Sequence, residues 1–311
     1  MMNCTIRILG LGLLASLALA GVARAADRAT VNRHTGLFEL PTTDLRKASE
    51  RGDRAELARV AARMGPARVA RALQDADRRT VLAGLDAAPL LSSGILLLEG
   101  ILPLLTASDE TIRSHAVAAA AALLAASDGV SLADWEVAGE TAQATCQALA
   151  LLAAKEAEPM AARLLAIQGL ADAPALCATA RKPADLLASR QPEIRRAAVL
   201  GLLPSSAPIA ALIAAAQDHD SGVAAAAGAR LCERSGKSQP VPKDSAPSAV
   251  PPLRRLALSE GALPEDIIGM LPCLSASADP GDRKAIEELQ ASGTTVVREA
   301  IQRLHEKAVS R

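Results

Sequence analysis

The sequence predicts an all-α protein, an α-solenoid of stacked antiparallel helix pairs. Half of the residues are hydrophobic, yet the chain has one Trp, one Phe and no Tyr, so Ala and Leu supply most of the apolar content. These two residues have high helix propensities. An apolar helix end, a polar turn and an Ala-rich helix recur in segments 102–124, 186–202 and 212–231. Hairpins that repeat in this way bury their apolar faces by stacking on their neighbours.

Residues 1–25 have the three parts of a secretory signal peptide. Arg7 supplies the positive start, residues 8–20 form the apolar segment, and Ala23-Arg24-Ala25 fits the small-x-small cleavage pattern. The apolar segment is too short to span a bilayer comfortably. We therefore expect a bacterial protein that is periplasmic or secreted and has no integral membrane span after cleavage.

Four cysteines remain when Cys4 leaves with the signal peptide. Cys146 and Cys177 are 31 residues apart, and Cys232 and Cys273 are 41 residues apart, each separation being close to one repeat. Equivalent helices of neighbouring pairs would carry the two partners, so an exported chain could form these two disulfides. The alternative is four buried thiols that pack as small hydrophobic groups.

The N-terminal part divides into an arm and a series of short helices. Residues 26–42 lack periodicity and predict an extended arm. Short helices are predicted over 44–51, 53–64, 67–73 and 77–85. Asp53 and Asp77 are the predicted N-caps of two of them. Segment 88–107 is almost free of charge and predicts one buried central helix.

Helical repeats are expected over 43–234, with an interrupting loop at 127–138. After that loop, helices are predicted over 140–154, 158–171, 174–188, 192–203, 208–217 and 221–234. Residues 235–252 hold five prolines among small polar residues, which is typical of a linker. Residues 253–311 are expected to form C-terminal helical repeats, with about four more helices.

The turns between the hairpins follow one pattern. Asp109-Glu110-Thr111-Ile112-Arg113 has an Asp, an aliphatic residue three positions later and then an Arg. The segment ending at Arg195 keeps the Arg but starts with Gln191, and the segment starting at Asp220 ends with Ala224. The Asp can accept hydrogen bonds from free N–H groups at a helix start, and the aliphatic residue begins the buried stripe.

This plan resembles the HEAT repeat, including the short variant of bacterial and lyase-like proteins. In that family, a Leu-rich helix end is followed by an Asp-x-x-Val/Ile-Arg turn and an Ala-rich helix. The resemblance implies a superhelix whose turns are fixed by Asp109, Arg113, Arg195 and Asp220. It covers about half of the mature chain and is nearly silent on function, which depends on sites rather than on the scaffold.

No residues in the sequence match a catalytic or cofactor-binding motif. Asp218-His219-Asp220 lies in a predicted turn and could bind a cation, but helix-capping acids beside an exposed His explain it as well. No Ser or Cys is matched to a His by a known nucleophile motif. We therefore expect a protein without enzymatic activity, metal or cofactor.

Charge is distributed unevenly along the chain. Residues 44–80 carry ten basic and six acidic side chains, and Arg59 and Arg63 share one helical face, with Arg51 and Arg54 just upstream. These arginines could receive an acidic partner or an anionic lipid head group. The alternative is a solvated helix face with the local pairs Glu50–Arg54 and Glu56–Arg59.

The middle of the chain is acidic, since residues 81–176 carry eleven acidic and three basic side chains. This excess could attract a basic peptide along the inner groove of a solenoid. Loss of Arg7 and Arg24 with the signal peptide leaves a net charge of −2. Nucleic acid is therefore not an expected partner, because its binding depends on positive charge.

Two aromatic residues are candidate anchors. Trp135 in the interrupting loop would either pin that loop onto the stack or act as an exposed hot spot for a partner. Phe38 in the arm has the same two interpretations.

Together these features predict an exported, non-enzymatic scaffold that binds another protein along a concave helical surface. A structural subunit of a cell-envelope assembly is the first alternative. A chromophore-handling or lyase-like accessory enzyme is the second, and it is implied only by relatives of the short HEAT repeat.

Overall fold

The computed structural model describes residues 42–126, 132–180, 183–201, 209–236 and 251–309. In these ranges the chain forms sixteen α-helices and no β-strand, so the all-α class is confirmed. The predicted signal peptide and the arm up to residue 41 lie outside the described residues. None of the helices in these ranges has both the length and the apolar character needed to cross a bilayer.

The first eight helices are α1 (Thr42–Glu50), α2 (Arg54–Met64), α3 (Pro66–Leu73), α4 (Arg78–Ala87), α5 (Leu98–Ile101), α6 (Glu110–Ala125), α7 (Leu132–Ala154) and α8 (Met160–Asp172). The remaining helices are α9 (Pro183–Leu187), α10 (Pro192–Gly201), α11 (Ile209–Ala216), α12 (Ser221–Gly236), α13 (Leu253–Ala257), α14 (Pro264–Ala276), α15 (Pro280–Ser292) and α16 (Thr295–Val309). Both predicted N-caps are present, because the side chains of Asp53 and Asp77 accept hydrogen bonds from the N–H groups of Glu56 and Arg79.

The prediction of one central helix over 88–107 is wrong. The chain there forms three short 3₁₀ segments around the single turn α5. Pro89 and Pro103 lack the N–H group that a continuous helix needs, and Gly94 and Gly100 favour other backbone conformations. The segment is nevertheless part of the core, in which Leu98 is fully buried.

Two further boundaries differ from the prediction. Helix α7 begins at Leu132, so most of the predicted loop at 127–138 is helical. The predicted helix over 174–188 is wrong, because residues 174–180 form turns and the short helix α9 begins only at Pro183. Proline disfavours the helical conformation of the residue before it and is well placed at a helix start, which explains the break.

The helices with even numbers pack on one another in chain order. Contacts join α4 to α6, α6 to α8, and so on through α10, α12 and α14 to α16. The odd-numbered helices α3, α7, α9 and α11 each pack on the even-numbered helix that follows. This regular progression places the start of each even-numbered helix, α4 to α14, next to the preceding one.

Residues 253–309 share a hydrophobic core with the helices before the Pro-rich segment. One cluster of buried side chains runs from Val199 in α10 through Leu231 in α12 and Met270 in α14 to Ile301 in α16. The segment over 235–252 therefore does not separate two independent cores. Of that segment, residues 237–250 lie outside the described part.

Candidate functional site

Three arginines link the turns between successive hairpins. Arg113, Arg163 and Arg195 each stand at the fourth position of an even-numbered helix, α6, α8 and α10. Each guanidinium group reaches the turn that precedes the next even-numbered helix, where the acceptors are Glu158, Gln191 and Asp218. We call these three arginines the arginine ladder. It joins each of these helices to the next by directed hydrogen bonds as well as by apolar packing.

Arg195 and Asp218 form the most complete contact of the ladder. The Nε and Nη2 atoms of Arg195 donate to the two carboxylate oxygens at 2.7 and 2.8 Å, and Nη1 donates to the Ser189 carbonyl at 2.9 Å. Burial raises the pKa of Asp218, but hydrogen bonds from Arg195 and from the Asp220 N–H outweigh it, so the pKa lies below its usual range. The carboxylate is therefore charged and fully engaged.

Glu158 plays the same role for Arg113. Its side chain is buried and accepts from Arg113 Nε at 2.7 Å and from Lys155 Nζ at 2.5 Å. The Lys155 bond lowers the pKa of Glu158, burial opposes this, and the Arg113 bond adds to the lowering. Arg113 also donates to the Ala107 carbonyl at 2.6 Å, so one side chain fixes the turns at both ends of its hairpin.

The two predicted capping acids are at helix starts. Asp109 accepts from the N–H groups of Thr111 and Ile112 at 2.9 and 3.1 Å, and from Arg78 Nε at 2.6 Å. The Arg78 bond and the two N–H bonds lower the pKa of Asp109 to about 2. Asp220 accepts from the Val223 N–H at 3.0 Å at the start of α12.

The cysteines that the sequence singled out are two disulfides in the structure. Cys146 and Cys177 are joined with an S–S distance of 2.02 Å, and Cys232 and Cys273 with one of 2.04 Å. The first ties α7 to the turns that follow α8, and the second ties α12 to α14. The Cα–Cα distances of 5.3 and 5.8 Å lie in the ordinary range for disulfides.

Small residues bring the even-numbered helices close together. A methyl group added at Gly169 in α8 would lie 2.7 Å from the Cβ atom of Ala121 in α6. One added at Gly269 in α14 would lie 2.9 Å from the Cβ atom of Ala229 in α12. At these places the neighbouring helix occupies the volume of a side chain, so glycine is required for the close approach.

A groove composed of three adjoining cavities crosses this part of the molecule. The first, of about 410 Å³, lies between α7, α8, α9 and α10; the second, of about 420 Å³, between α8, α10 and α12; the third, of about 520 Å³, between α10, α12 and α14. Ile167 and Gly201 line both the first and the second cavity, and Leu200 and Arg230 line both the second and the third. We call these three cavities the groove.

The groove is apolar with an acidic lining. Among the described residues that line it, the acids are Asp172, Asp185, Glu233, Glu265 and Asp266, and the one basic residue is Arg230. Arg230 donates to Glu233 at 2.7 Å and also to the Leu200 carbonyl, whereas its buried Nε has no partner in the described part of the chain. The nearby Arg196 binds Asp266 at 2.6 Å. Acidic side chains therefore outnumber basic ones even when Arg196 is included.

The predicted basic surface near the N-terminus is partly neutralised. Arg59 and Arg63 both approach the Glu56 carboxylate, at 2.9 and 3.8 Å. Glu50 pairs with Arg79 at 3.7 Å and not with Arg54, as had been expected. Arg51 and Arg54 are exposed where α1 gives way to α2. No member of the predicted set Arg51, Arg54, Arg59 and Arg63 lines the groove.

The two predicted aromatic anchors cannot be placed against a partner surface. Phe38 and the Trp135 side chain lie outside the described residues, although the Trp135 backbone belongs to α7. At the candidate cation site, Arg195 already binds Asp218, and His219 is highly exposed. Within the described ranges, no group of three His, Cys, Asp or Glu side chains is placed to hold a metal ion.

Sequence reasoning missed one rung of the ladder and the basic residue of the groove. Arg163 follows Pro159-Met160-Ala161-Ala162, which lacks the acidic and branched residues of the turn pattern. Its position four residues after a proline matches Arg195 only loosely. Arg230 lies in an Ala-rich helix with no sequence signal of its own.

No protein-family model matches this sequence, and a search of curated proteins gives no match. The groove must therefore be understood from its own shape and charge. Its three cavities and its acidic lining are the features that distinguish it from the rest of the described surface.

Proposed function

We propose that this chain is an exported, non-enzymatic scaffold of the HEAT type that binds another protein along a concave surface of its even-numbered helices. The groove is the single observation that carries the proposal. Its adjoining cavities run across α8, α10, α12 and α14, which is the arrangement expected when an extended segment lies across stacked hairpins.

The packing of the helices supports the stacked arrangement. The ordered contacts from α4 to α16 and the arginine ladder are what repeated hairpins of one design would produce. Since the close approaches at Gly169 and Gly269 keep the helices near one another, the groove would be held open by rigid elements and not by loops.

The chemistry of the groove favours a basic partner segment. Carboxylates dominate its lining, and apolar side chains such as Leu164 and Leu200 supply contact area between them. Complementary charge selects partners and speeds their encounter, while apolar contacts supply much of the binding free energy. An extended peptide with alternating basic and aliphatic residues fits both requirements.

Two observations support export. The first 25 residues fit a signal peptide, and the two disulfides are of a kind that persists in oxidising compartments. We place the protein in the periplasm or outside the cell on these grounds.

A random dodecapeptide phage library selected on the oxidised mature protein tests the proposal. We expect the selected peptides to carry net positive charge and to compete with one another for one site. Glu265→Gln and Asp172→Asn should each weaken the binding of a selected peptide. Glu306→Gln, which removes an exposed acid outside the groove, is the matched control and should leave the affinity unchanged.

The proposal fails if selection yields acidic peptides, or if the groove variants and the Glu306→Gln control bind equally. A selection without enrichment would also contradict it. The structural-subunit alternative would then be favoured, since fixed contacts between folded surfaces need no peptide groove.

A further inference from the structure

A separate cavity of about 330 Å³ lies near the N-terminus, between α1, α2, α4 and α6. Most of its wall is aliphatic and includes Leu57, Leu85 and Leu90 together with alanines of α6. None of its lining residues belongs to the groove. The volume is that of a site for a small molecule rather than for a folded partner.

One end of this cavity is polar and internally organised. Asp86 accepts a hydrogen bond from Ser49 Oγ at 2.6 Å through one carboxylate oxygen, and its other oxygen lies 2.8 Å from His115 Nδ1. Both oxygens of Asp86 are therefore engaged. This bond orients the imidazole ring and leaves Nε2, for which the described residues provide no hydrogen-bond partner, available to a ligand.

Arg54 supplies an unmatched positive charge at the same cavity. It lines the cavity and forms no ion pair with any described residue. Asp86 is the one acid among the described lining residues, and His115 already binds it. A ligand group that enters beside Arg54 and His115 thus meets two donors and no free carboxylate.

We propose that this cavity binds a small amphiphilic carboxylate, with its aliphatic tail against the leucine and alanine walls and its carboxylate between Arg54 and His115. A planar guanidinium group receives a carboxylate through two parallel hydrogen bonds, and such charge-assisted bonds are stronger than neutral ones. A tail of about eight carbons suits a cavity of this size.

The geometry also makes binding dependent on pH. Asp86, by accepting a hydrogen bond from His115, raises the pKa of the imidazole; burial and Arg78 oppose this without cancelling it. The charged groups near the ring are Asp86 from α4, Arg78 from the start of α4 and Arg54 from α2. Protonated His115 adds a second positive charge, so the affinity for an anion should fall as the pH rises through the pKa of His115.

Calorimetric titration of the oxidised mature protein with octanoate tests the proposal. At about pH 6 we expect one saturable site, with at least about tenfold weaker binding by Arg54→Gln. His115→Gln should also bind more weakly and lose the pH dependence. Arg59→Gln is the matched control, because Arg59 is an exposed arginine of the same helix that pairs with Glu56. It should bind octanoate as the unaltered protein does.

Octylammonium, which has the same tail length and the opposite charge, tests the charge preference. We expect it to bind at least about tenfold more weakly than octanoate. Absence of saturable octanoate binding would overturn the proposal. Equal binding by Arg54→Gln and Arg59→Gln, or equal affinity for octylammonium, would overturn it as well. Arg54 is exposed, so its replacement should leave the helical circular dichroism unchanged even if His115→Gln fails to fold.

Discussion

Arg195 and Asp218 form a bidentate ion pair that joins helix α10 to the turn preceding α12, with donor–acceptor distances of 2.7 and 2.8 Å. Only 6% of the Arg195 side chain and 12% of the Asp218 side chain are exposed. Two charges removed from water in this way depend on each other. Their contact is therefore directional and couples neighbouring hairpins in a way that Ala–Leu packing alone does not.

Replacing Arg195 with Met should destabilise the protein by about 3–5 kcal/mol, because Asp218 would be left as a buried charge without its partner. Urea unfolding followed by circular dichroism measures the loss. The double variant Arg195→Met/Asp218→Leu should recover most of it, since both charges are then absent.

The matched control for this loss is Arg59→Met. Arg59 is 71% exposed and pairs with Glu56 at the surface, where an ion pair contributes about 1 kcal/mol or less. If Arg195→Met and Arg59→Met change the free energy of unfolding equally, the ladder does not stabilise the stack.

The two disulfides make a prediction about connectivity and stability. Peptide mapping without reduction should recover Cys146 linked to Cys177, and Cys232 linked to Cys273. The double variant Cys146→Ser/Cys177→Ser should unfold with about 2–4 kcal/mol less free energy. Recovery of four free thiols from the exported protein, or a different pairing, would contradict the connectivity.

Close packing between α6 and α8 makes Gly169 sensitive to substitution. Gly169→Ala places a methyl group 2.7 Å from the Cβ and 2.8 Å from the Cα of Ala121, so one helix must shift. We expect a loss of about 1–3 kcal/mol. Gly139→Ala in α7 is the control, because an added methyl group meets nothing within 4 Å there and should stabilise the helix by up to about 1 kcal/mol. Similar thermal shifts for the two variants would refute the packing.

Asp77 and Asp109 should titrate far below an ordinary aspartate. Hydrogen bonds from Arg46 and Arg78 respectively are the largest causes, and each pKa is lowered from 3.8 to about 2. Because the folded values lie below the unfolded ones, their stabilising effect is complete above the unfolded pKa and is lost as the pH falls from about 4 towards 2.

NMR titration of the carboxyl carbons checks both values. In Arg78→Gln, the pKa of Asp109 should rise towards its ordinary range, whereas that of Asp77, held by Arg46, should stay low. A rise of both, or of neither, would show that these arginine contacts do not set the two pKa values.

How far the sequence predicts this structure depends on the range of the forces involved. Caps such as Asp53 and Asp109 act within one helical turn, so composition and spacing were enough to place them. The helices that flank them were predicted to within a few residues. Local signals thus recovered most of the helical hairpins.

Elements governed by longer-range contacts were predicted less well. Segment 88–107 is apolar enough for a helix, yet its prolines and glycines divide it into 3₁₀ segments that still fill the core. Residues 174–180 form turns beside the disulfide of Cys177. In both places tertiary packing outweighs helix propensity.

The groove could not be predicted at the level of residues. Leu200 and Arg230 lie 30 positions apart, and only the stacking of α10 on α12 brings them to one cavity wall. The sequence indicated an inner surface and an acidic middle. It did not indicate which side chains meet there.

Methyl NMR of the mature protein, titrated with a cationic peptide selected from the library, is the most direct test of the central claim. The account predicts that the largest shift changes fall on methyl groups in the groove, such as Leu164, Ile167 and Leu200. Changes confined to Leu258 and Val296, which are exposed outside the groove, would contradict it.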